Sequence, residues 1–228
     1  MDRLSGSIRI KINERVYLRD PDETKLGRRI VQGSIELIDE IGFEQFTFRK
    51  LAMHIGSTEA SVYRYFENKH KLLIYLVSWY WNWLEYRLVF SVNNIPDPVK
   101  KIRIVIQLIT TPVEMDPTYS HVNEKALFRI VIAESSKAYL TKEVDDDNKE
   151  GYFASYKRLC RRVADWVTQV NPSYPYPVSM VSTLIESAHH QRYFAIHLPS
   201  LTEIRPDGQR DLENFLLGTL FNTISKDA

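Results

Sequence analysis

A single glycine, Gly56, separates two short helical segments in the first third of the chain. Thr47 is a favourable N-cap for the first segment, 48–55, and Ser57 or Thr58 can cap the second, which runs to residue 65. A glycine between two short helices permits the tight turn that joins them. Because a longer helix is predicted just before the pair, the spacing predicts a helix-turn-helix.

Helical periodicity continues through the rest of the chain, and no convincing strand pattern occurs after residue 24. The first helix is predicted over 24–41 and ends at Gly42, and a long fourth helix follows an Asn68 cap to about residue 90. Later helices are predicted over about 97–111, 120–139, 149–170, 177–198 and 207–225. The acidic stretch Glu143–Asn148 is expected to be a solvated loop. The predicted fold class is all-α, with a small N-terminal unit and a larger C-terminal helical bundle.

Composition is that of a globular protein, with 44% hydrophobic and 26% charged residues. No apolar run approaches the roughly 20 residues of a membrane span, and basic residues interrupt the N-terminus where a signal peptide needs an apolar core. The one cysteine, Cys160, excludes an internal disulfide and indicates a cytoplasmic protein. Residues 1–72 carry 13 Lys and Arg against 11 Asp and Glu, so any DNA binding would depend on a few well-placed groups.

From Gly27 to Leu76 the sequence resembles the DNA-binding domain of the TetR family of bacterial transcriptional regulators. The matching residues are Gly42-Phe43, Phe46 to Ala52, Ile55 to Phe66, Asn68-Lys69 and Leu72-Leu73, at several fixed spacings without gaps. The resemblance implies a homodimer that binds an inverted repeat in double-stranded DNA. It also implies release of the DNA when a small-molecule effector enters the C-terminal domain.

On this interpretation the chain divides into three parts. Residues 1–24 form an N-terminal arm, 25–72 the helix-turn-helix domain, and 73–228 the domain for ligand binding and dimerisation. In the arm, Ile8, Ile10 and Ile12 alternate with polar residues, which fits a short strand or a segment that orders on binding. Its basic residues could follow the minor groove or the backbone of DNA, although interspersed acids weaken that hypothesis; they are Arg3, Arg9, Lys11, Arg15 and Arg19.

The second helix of the motif presents small, polar and aromatic residues outward, which suits the major groove, about 12 Å wide. The resemblance implies phosphate contacts for Thr47, Tyr63, Tyr65 and Lys69, and base contacts for Arg49, Glu59 and Ala60. Arg49 can donate two hydrogen bonds to a guanine, whereas Glu59 either accepts one from a cytosine or pairs with a neighbouring arginine. The complete predicted DNA-binding set is Thr47, Phe48, Arg49, Thr58, Glu59, Ala60, Tyr63, Arg64, Tyr65 and Lys69.

Three basic residues, Lys69, His70 and Lys71, open the predicted fourth helix. Cations at a helix N-terminus oppose the helix dipole, but an approaching phosphate is attracted by both. This turn is therefore either a solvated end or a phosphate clamp, and the surrounding motif favours the clamp.

The same helix has a high density of aromatic residues, and Trp79 and Trp83 share one face. That face either packs between helices or lines part of an effector pocket. The predicted pocket residues are Trp79, Trp83, Tyr86, Phe128, Tyr152 and Tyr156. No pattern identifies the effector.

The last two helices are expected to form the dimer, because their apolar faces exceed what one helix pair can bury. The predicted interface residues are Leu184, Ala188, Phe215, Leu216 and Leu220. In the resembling family these helices pair across a two-fold axis. Such symmetry would place two recognition helices one DNA turn apart, about 34–36 Å.

No cofactor, metal site or catalytic residue is predicted. The spacing of His189, His190 and His197 permits a pair of metal ligands, but no third ligand is apparent. The run Asp145–Asp147 lacks the glycine and final glutamate of a calcium loop. Hydrolase and phosphate-loop motifs are missing. Two other classes stay open: an adaptor that acts through a protein partner, and an all-α enzyme with an aromatic cavity. Neither would need Arg49, Tyr63 and Lys69 on one face.

Overall fold

The computed structural model of the chain describes residues 10–113 and 122–225. Its regular structure within these ranges is helical, with no strand, so the all-α prediction is confirmed. The helices, numbered in chain order, are α1 (Lys25–Gln45), α2 (Phe48–His54), α3 (Glu59–Tyr63), α4 (Lys69–Ser91), α5 (Pro98–Thr110), α6 (Glu124–Glu134), α7 (Ser136–Tyr139), α8 (Val144–Lys149), α9 (Ala154–Val170), α10 (Pro177–His197) and α11 (Gln209–Ile224).

The predicted N-caps and glycine turn of the helix-turn-helix are confirmed. The Thr47 hydroxyl caps α2, and the Thr58 hydroxyl caps α3. Gly56 has a φ of 59°, in the left-handed region that glycine adopts at no steric cost. The regular geometry of α1 is interrupted at Gly42, whose φ is 75°, and the helix continues beyond this kink to Gln45.

Several details of the predicted helices and arm differ from the structure. Residues 143–148 are not a loop, because Val144–Lys149 is helical with three aspartates in its first turn, where the helix dipole favours acids. The segment predicted as 120–139 begins its described helix at Glu124 and divides at Ser135 into α6 and α7. Residues 10–12 form no strand, and Ile8 lies outside the described residues.

The chain separates into two compact units, and the division falls within α4. The first unit covers the described parts of Met1–Trp83 and Val113–Ala154, and the second covers Leu84–Pro112 and the described part of Ser155–Ala228. These units follow packing, whereas the predicted boundaries at residues 24 and 72 concern function and stay a prediction.

In the first unit, α4 passes through the core, because every residue from Leu72 to Trp81 is buried. The helix-turn-helix adds its own apolar residues to this core, among them Ile30, Phe46, Leu51, Val62 and Phe66. Burial on all sides explains why α4 shows no single apolar stripe.

The described part of the arm, residues 10–24, packs on the same unit. Ile10, Ile12 and Val16 are buried, and the Leu18 N–H donates to the Tyr65 carbonyl at 2.8 Å. Arg15 pairs with Glu150 at 2.5 Å, so this basic residue already has an acidic partner within the chain. Arg3 and Arg9, also proposed to follow DNA, lie outside the described residues.

The second unit contains all of the predicted dimer-interface residues, and four of the five are buried within the chain. Leu184, Ala188, Leu216 and Leu220 are each at most 3% exposed, so their side chains form the core of this unit. Only Phe215 of the predicted set is exposed, at 47%. The sequence marked apolar helix faces correctly, but it could not separate the stripe that packs inward from the one left outside.

None of the helices within the described ranges is long and apolar enough to cross a membrane.

Replacing Gly27 with alanine should destabilise the first unit. A Cβ there would lie 2.6 Å from the Pro21 Cα and 2.8 Å from its carbonyl carbon, so the arm must shift. Overpacking of this kind costs about 1–3 kcal/mol. Urea unfolding measures the loss, with Lys25→Ala, an exposed neighbour, as the control that should change stability by less than about 0.5 kcal/mol. A Gly27→Ala protein as stable as wild type would show that the arm does not pack against α1.

Candidate nucleic-acid interface

Seven of the ten predicted DNA-binding residues are exposed on α2, α3 and their N-caps. They are Thr47, Arg49, Thr58, Glu59, Ala60, Tyr63 and Arg64. The edge-on contact between the Phe48 and Tyr63 rings, 4.9 Å between centroids, brings the start of α2 to the end of α3. Phe48 itself is 4% exposed and supports Tyr63 from inside, and its predicted contact with DNA stays a prediction.

Side-chain hydrogen bonds link the residues that flank α3 to Ser61 within it. The Thr58 and Ser61 hydroxyls lie 2.8 Å apart, and the Arg64 guanidinium donates to the Ser61 hydroxyl at 3.1 Å. Glu59 forms no ion pair with any residue that the structure describes. Its carboxylate therefore faces solvent without an arginine, which favours the base-reading alternative.

Tyr65 has a structural position. Its side chain is 2% exposed, its hydroxyl lies 2.7 Å from the Thr24 hydroxyl, and the Arg19 guanidinium stacks over its ring at 5.7 Å. The Tyr65 hydroxyl thus joins the start of α1 to the end of α3, and its predicted phosphate contact stays a prediction.

The basic first turn of α4 is also paired within the protein. The Lys69 ammonium donates to the carbonyls of Phe43, Glu44 and Phe46 at 3.2, 3.3 and 3.4 Å. Because an ammonium has three hydrogens, a phosphate would have to displace one of these partners. Lys69 thus has an internal role, and the phosphate clamp predicted for this turn stays a prediction.

Asp147, which sequence reasoning missed, holds the next two residues of that turn. Its buried carboxylate accepts from Lys71 at 2.7 Å and lies 3.0 Å from His70 Nε2. Burial alone would lower the pKa of Lys71, but hydrogen bonds with Asp147 and Tyr152 outweigh it and raise the pKa. In the sequence, three adjacent aspartates indicate an acidic surface. The pairing of Asp147 with α4 arises only from the tertiary fold.

The predicted pocket residues belong to both units. In the first unit, Trp79 stacks on Trp83 at 6.4 Å and Phe128 stacks on Tyr80 at 5.9 Å. All four rings are buried. The geometry of these rings matches the packing alternative. Tyr152, also in the first unit, is buried and donates to the Arg15 carbonyl at 3.1 Å.

The two other pocket candidates lie in the second unit. Tyr86 is exposed at 41%, and the Tyr156 hydroxyl donates to Glu186 at 3.0 Å. The pocket that these six residues were expected to form together stays a prediction.

A cavity of about 420 Å³ in the first unit lies beside the arm. Tyr75 and arm residues line it, including the carboxylates of Glu14, Asp20, Asp22 and Glu23. Lys11 lines it as well, so the lining is acidic on balance and is a poor site for a phosphate.

Within the described ranges, no three His, Cys, Asp or Glu side chains are arranged to hold a metal ion. Burial lowers the pKa of His189 to about 3, helped by His190 and Arg192, so this imidazole is neutral.

Residues 30–76 match the family described as bacterial regulatory proteins, tetR family. The nucleoid occlusion factor SlmA of Vibrio cholerae is 31% identical over 100 residues, 41% of this chain and 49% of that protein. SlmA of Shewanella oneidensis is 28% identical over 100 residues, 43% and 51% of the two chains. The chain spans about half the length of these curated relatives.

Solved structures share the fold over nearly the whole chain. FadR of Bacillus subtilis in complex with stearoyl-CoA has a TM-score of 0.61 at 17% identity, covering 88% of this chain and 98% of that one. AibR in complex with isovaleryl coenzyme A and operator DNA has a TM-score of 0.59 at 17% identity, covering 86% and 99%. At this identity they show a common fold.

Tyr65→Phe and Tyr63→Phe should have opposite effects. Removing the Tyr65 hydroxyl breaks the bond to Thr24 and should cost about 1 kcal/mol in urea unfolding, with the salt dependence of DNA binding unchanged. Removing the exposed Tyr63 hydroxyl should leave stability within about 0.5 kcal/mol and weaken binding. If Tyr65→Phe keeps full stability but lowers the salt slope, Tyr65 contacts phosphate after all.

Proposed function

We propose that this chain, whose residues 30–76 match the tetR family of bacterial regulatory proteins, represses transcription from an inverted-repeat operator. A small-molecule effector that binds the C-terminal domain would release the DNA. On this proposal the chain is a DNA-binding regulator and not an enzyme. A chromosomal operator would be bound in the cytoplasm, the compartment that the single cysteine also indicates.

The joint exposure of Arg49 on α2 and of Glu59 and Tyr63 on α3 carries the proposal. Arg49 would donate two hydrogen bonds to a guanine, and Glu59 would accept one from a cytosine amino group. Tyr63 and Thr47 would position the domain through phosphates, which carry no sequence information. A bidentate contact is worth about 1–3 kcal/mol of discrimination, so a few such contacts suffice on a nearly neutral domain.

A homodimer would double these contacts. Exposed apolar side chains on α10 and α11 support it: Tyr193 is 36%, Ile196 63% and Phe215 47% exposed. A group of large apolar side chains exposed on neighbouring helices would suit a surface that another protein covers. We therefore propose that these residues, rather than the buried leucines, contact a second copy of the chain.

The effector is proposed by chemical class. Two solved structures that share the fold, AibR and FadR, are complexes with acyl thioesters of coenzyme A. Acyl-coenzyme A thioesters are thus the first class to test on this protein.

Selection from fragmented genomic DNA tests the DNA-binding function. Wild type should enrich a short inverted repeat, and Arg49→Ala should bind it about tenfold to a hundredfold more weakly, with relaxed preference at one base pair of each half-site. Arg161→Ala, which removes an exposed arginine of the second unit, is the matched control and should bind as wild type does. No enrichment by wild type, or full selection by Arg49→Ala, would contradict the proposal.

The dimer is tested by Phe215→Arg, which should shift the sedimentation coefficient to that of a monomer because a buried charge would oppose association. Val89→Arg, at another exposed apolar position with 43% exposure, is the control that should remain dimeric. A dimeric Phe215→Arg protein would place the interface elsewhere.

A second function is favoured by the curated relatives, which are named nucleoid occlusion factors. On that alternative the protein binds DNA at many places and acts through a protein partner. Chromosome-wide mapping separates the two. A repressor should occupy a few promoters and alter their transcripts on deletion, whereas an occlusion factor should occupy dispersed sites with transcripts unchanged.

A further inference from the structure

The segment between α1 and α2 determines where the DNA-facing helices begin. Helical geometry stops at Gly42, with φ 75° and ψ 157°, and Thr47 caps α2 five residues later. We call residues 42–46, which are the end of α1 from its kink at Gly42 onward and the residue after it, the α1–α2 junction. Arg49 follows Thr47 by two residues, so a rotation at the junction would move both.

The junction is held on both sides of Phe43. The Phe43 N–H donates to Glu134 Oε1 at 3.1 Å, and Glu134 is the last residue of α6. The Phe43 carbonyl accepts from Lys69 at 3.2 Å. One peptide segment therefore connects the end of α6 with the start of α4.

Lys137 completes this arrangement. Its ammonium lies 2.7 Å from Glu134 Oε2 and 2.8 Å from Glu44 Oε1. Glu134 thus uses one carboxylate oxygen on the junction backbone and the other on Lys137. Its side chain is 13% exposed, so losing either partner would leave a largely buried charge poorly compensated.

A second contact fixes α6 along α1. The Arg129 guanidinium donates two hydrogen bonds to the Asp39 carboxylate, at 2.8 and 2.5 Å. Asp39 lies one helical turn before Phe43, so α6 is attached to α1 at two successive points. A shift of α6 would therefore act on the end of α1, where the glycine makes the backbone adaptable.

We infer that Glu134 is a positioning residue for operator binding, and that α6 sets the orientation of α2 through the Glu134–Phe43 hydrogen bond. This inference rests on the proposed function. Glu134 acts through the backbone, because an acidic side chain bound to Lys137 has no attraction for phosphate.

Operator affinity and its salt dependence test the inference with three variants. Glu134→Ala should bind the selected operator about tenfold more weakly, with the slope of affinity against salt unchanged because no phosphate contact is lost. Glu134→Gln keeps an amide oxygen that can accept from Phe43 and should retain most of the affinity. Glu143→Ala, at an exposed acid in the same unit whose side chain caps nothing, is the charge-matched control and should not weaken binding.

Hydrogen exchange provides a second readout. The Phe43 amide should exchange faster in Glu134→Ala, while amides of α9 exchange as in wild type. If Glu134→Ala does not fold, Glu134→Asp replaces it, because the shorter side chain withdraws the carboxylate from the Phe43 amide and should give a smaller loss in the same direction.

Wild-type affinity in Glu134→Ala, or in Glu134→Asp when it replaces that variant, would overturn the inference while leaving the proposed function intact. A reduced salt slope would also overturn it, because that result would mean a lost phosphate contact. If wild type itself selects no operator, the proposed function has failed and not this inference alone.

Discussion

The Lys69 ammonium holds three backbone carbonyls at the point where α1 ends and α2 begins. The last carbonyls of a helix have no partners within it and carry a partial negative charge, so a cation there satisfies both needs. The Phe43 ring, 4.8 Å from the same ammonium, adds a cation–π contact. Because Lys69 begins α4, this one side chain fixes the start of the core helix against the start of the DNA-facing pair.

Internal use of basic residues shapes the electrostatics of the DNA-binding unit. Arg28 and Arg29 donate to the carbonyls of Asp22 and Ile55, and Lys50 donates to that of Gln45. With Lys69 and Lys71 also engaged, much of the positive charge of this unit stabilises the fold. The charge count of the sequence thus includes cations that already bond to the protein's own backbone, and the proposed recognition rests on side chains such as Arg49 that extend from α2 and α3.

Local signals predicted the helix-turn-helix well because its determinants lie within a few residues of one another. A threonine cap or a glycine with positive φ acts on its own turn, so Thr47, Gly56 and Thr58 could be identified from sequence. Tyr65 and Asp147 could not, since their partners Thr24 and Lys71 are 41 and 76 residues away. The same reason explains the leucines assigned to the dimer, because a periodic stripe does not reveal which neighbour covers it.

The first unit is assembled from two separated stretches of chain, the described parts of Met1–Trp83 and Val113–Ala154. Asp39 meets Arg129 across 90 residues, and Asn13 reaches the Glu150 carbonyl across 137. During synthesis, therefore, the helix-turn-helix leaves the ribosome long before its supports exist. Until residue 150 has emerged, the apolar residues of α4 lack part of their cover, and exposed apolar surface of this kind makes a nascent chain prone to aggregation. A fragment cut at residue 72 would keep the DNA-reading helices and lose the scaffold that orients them.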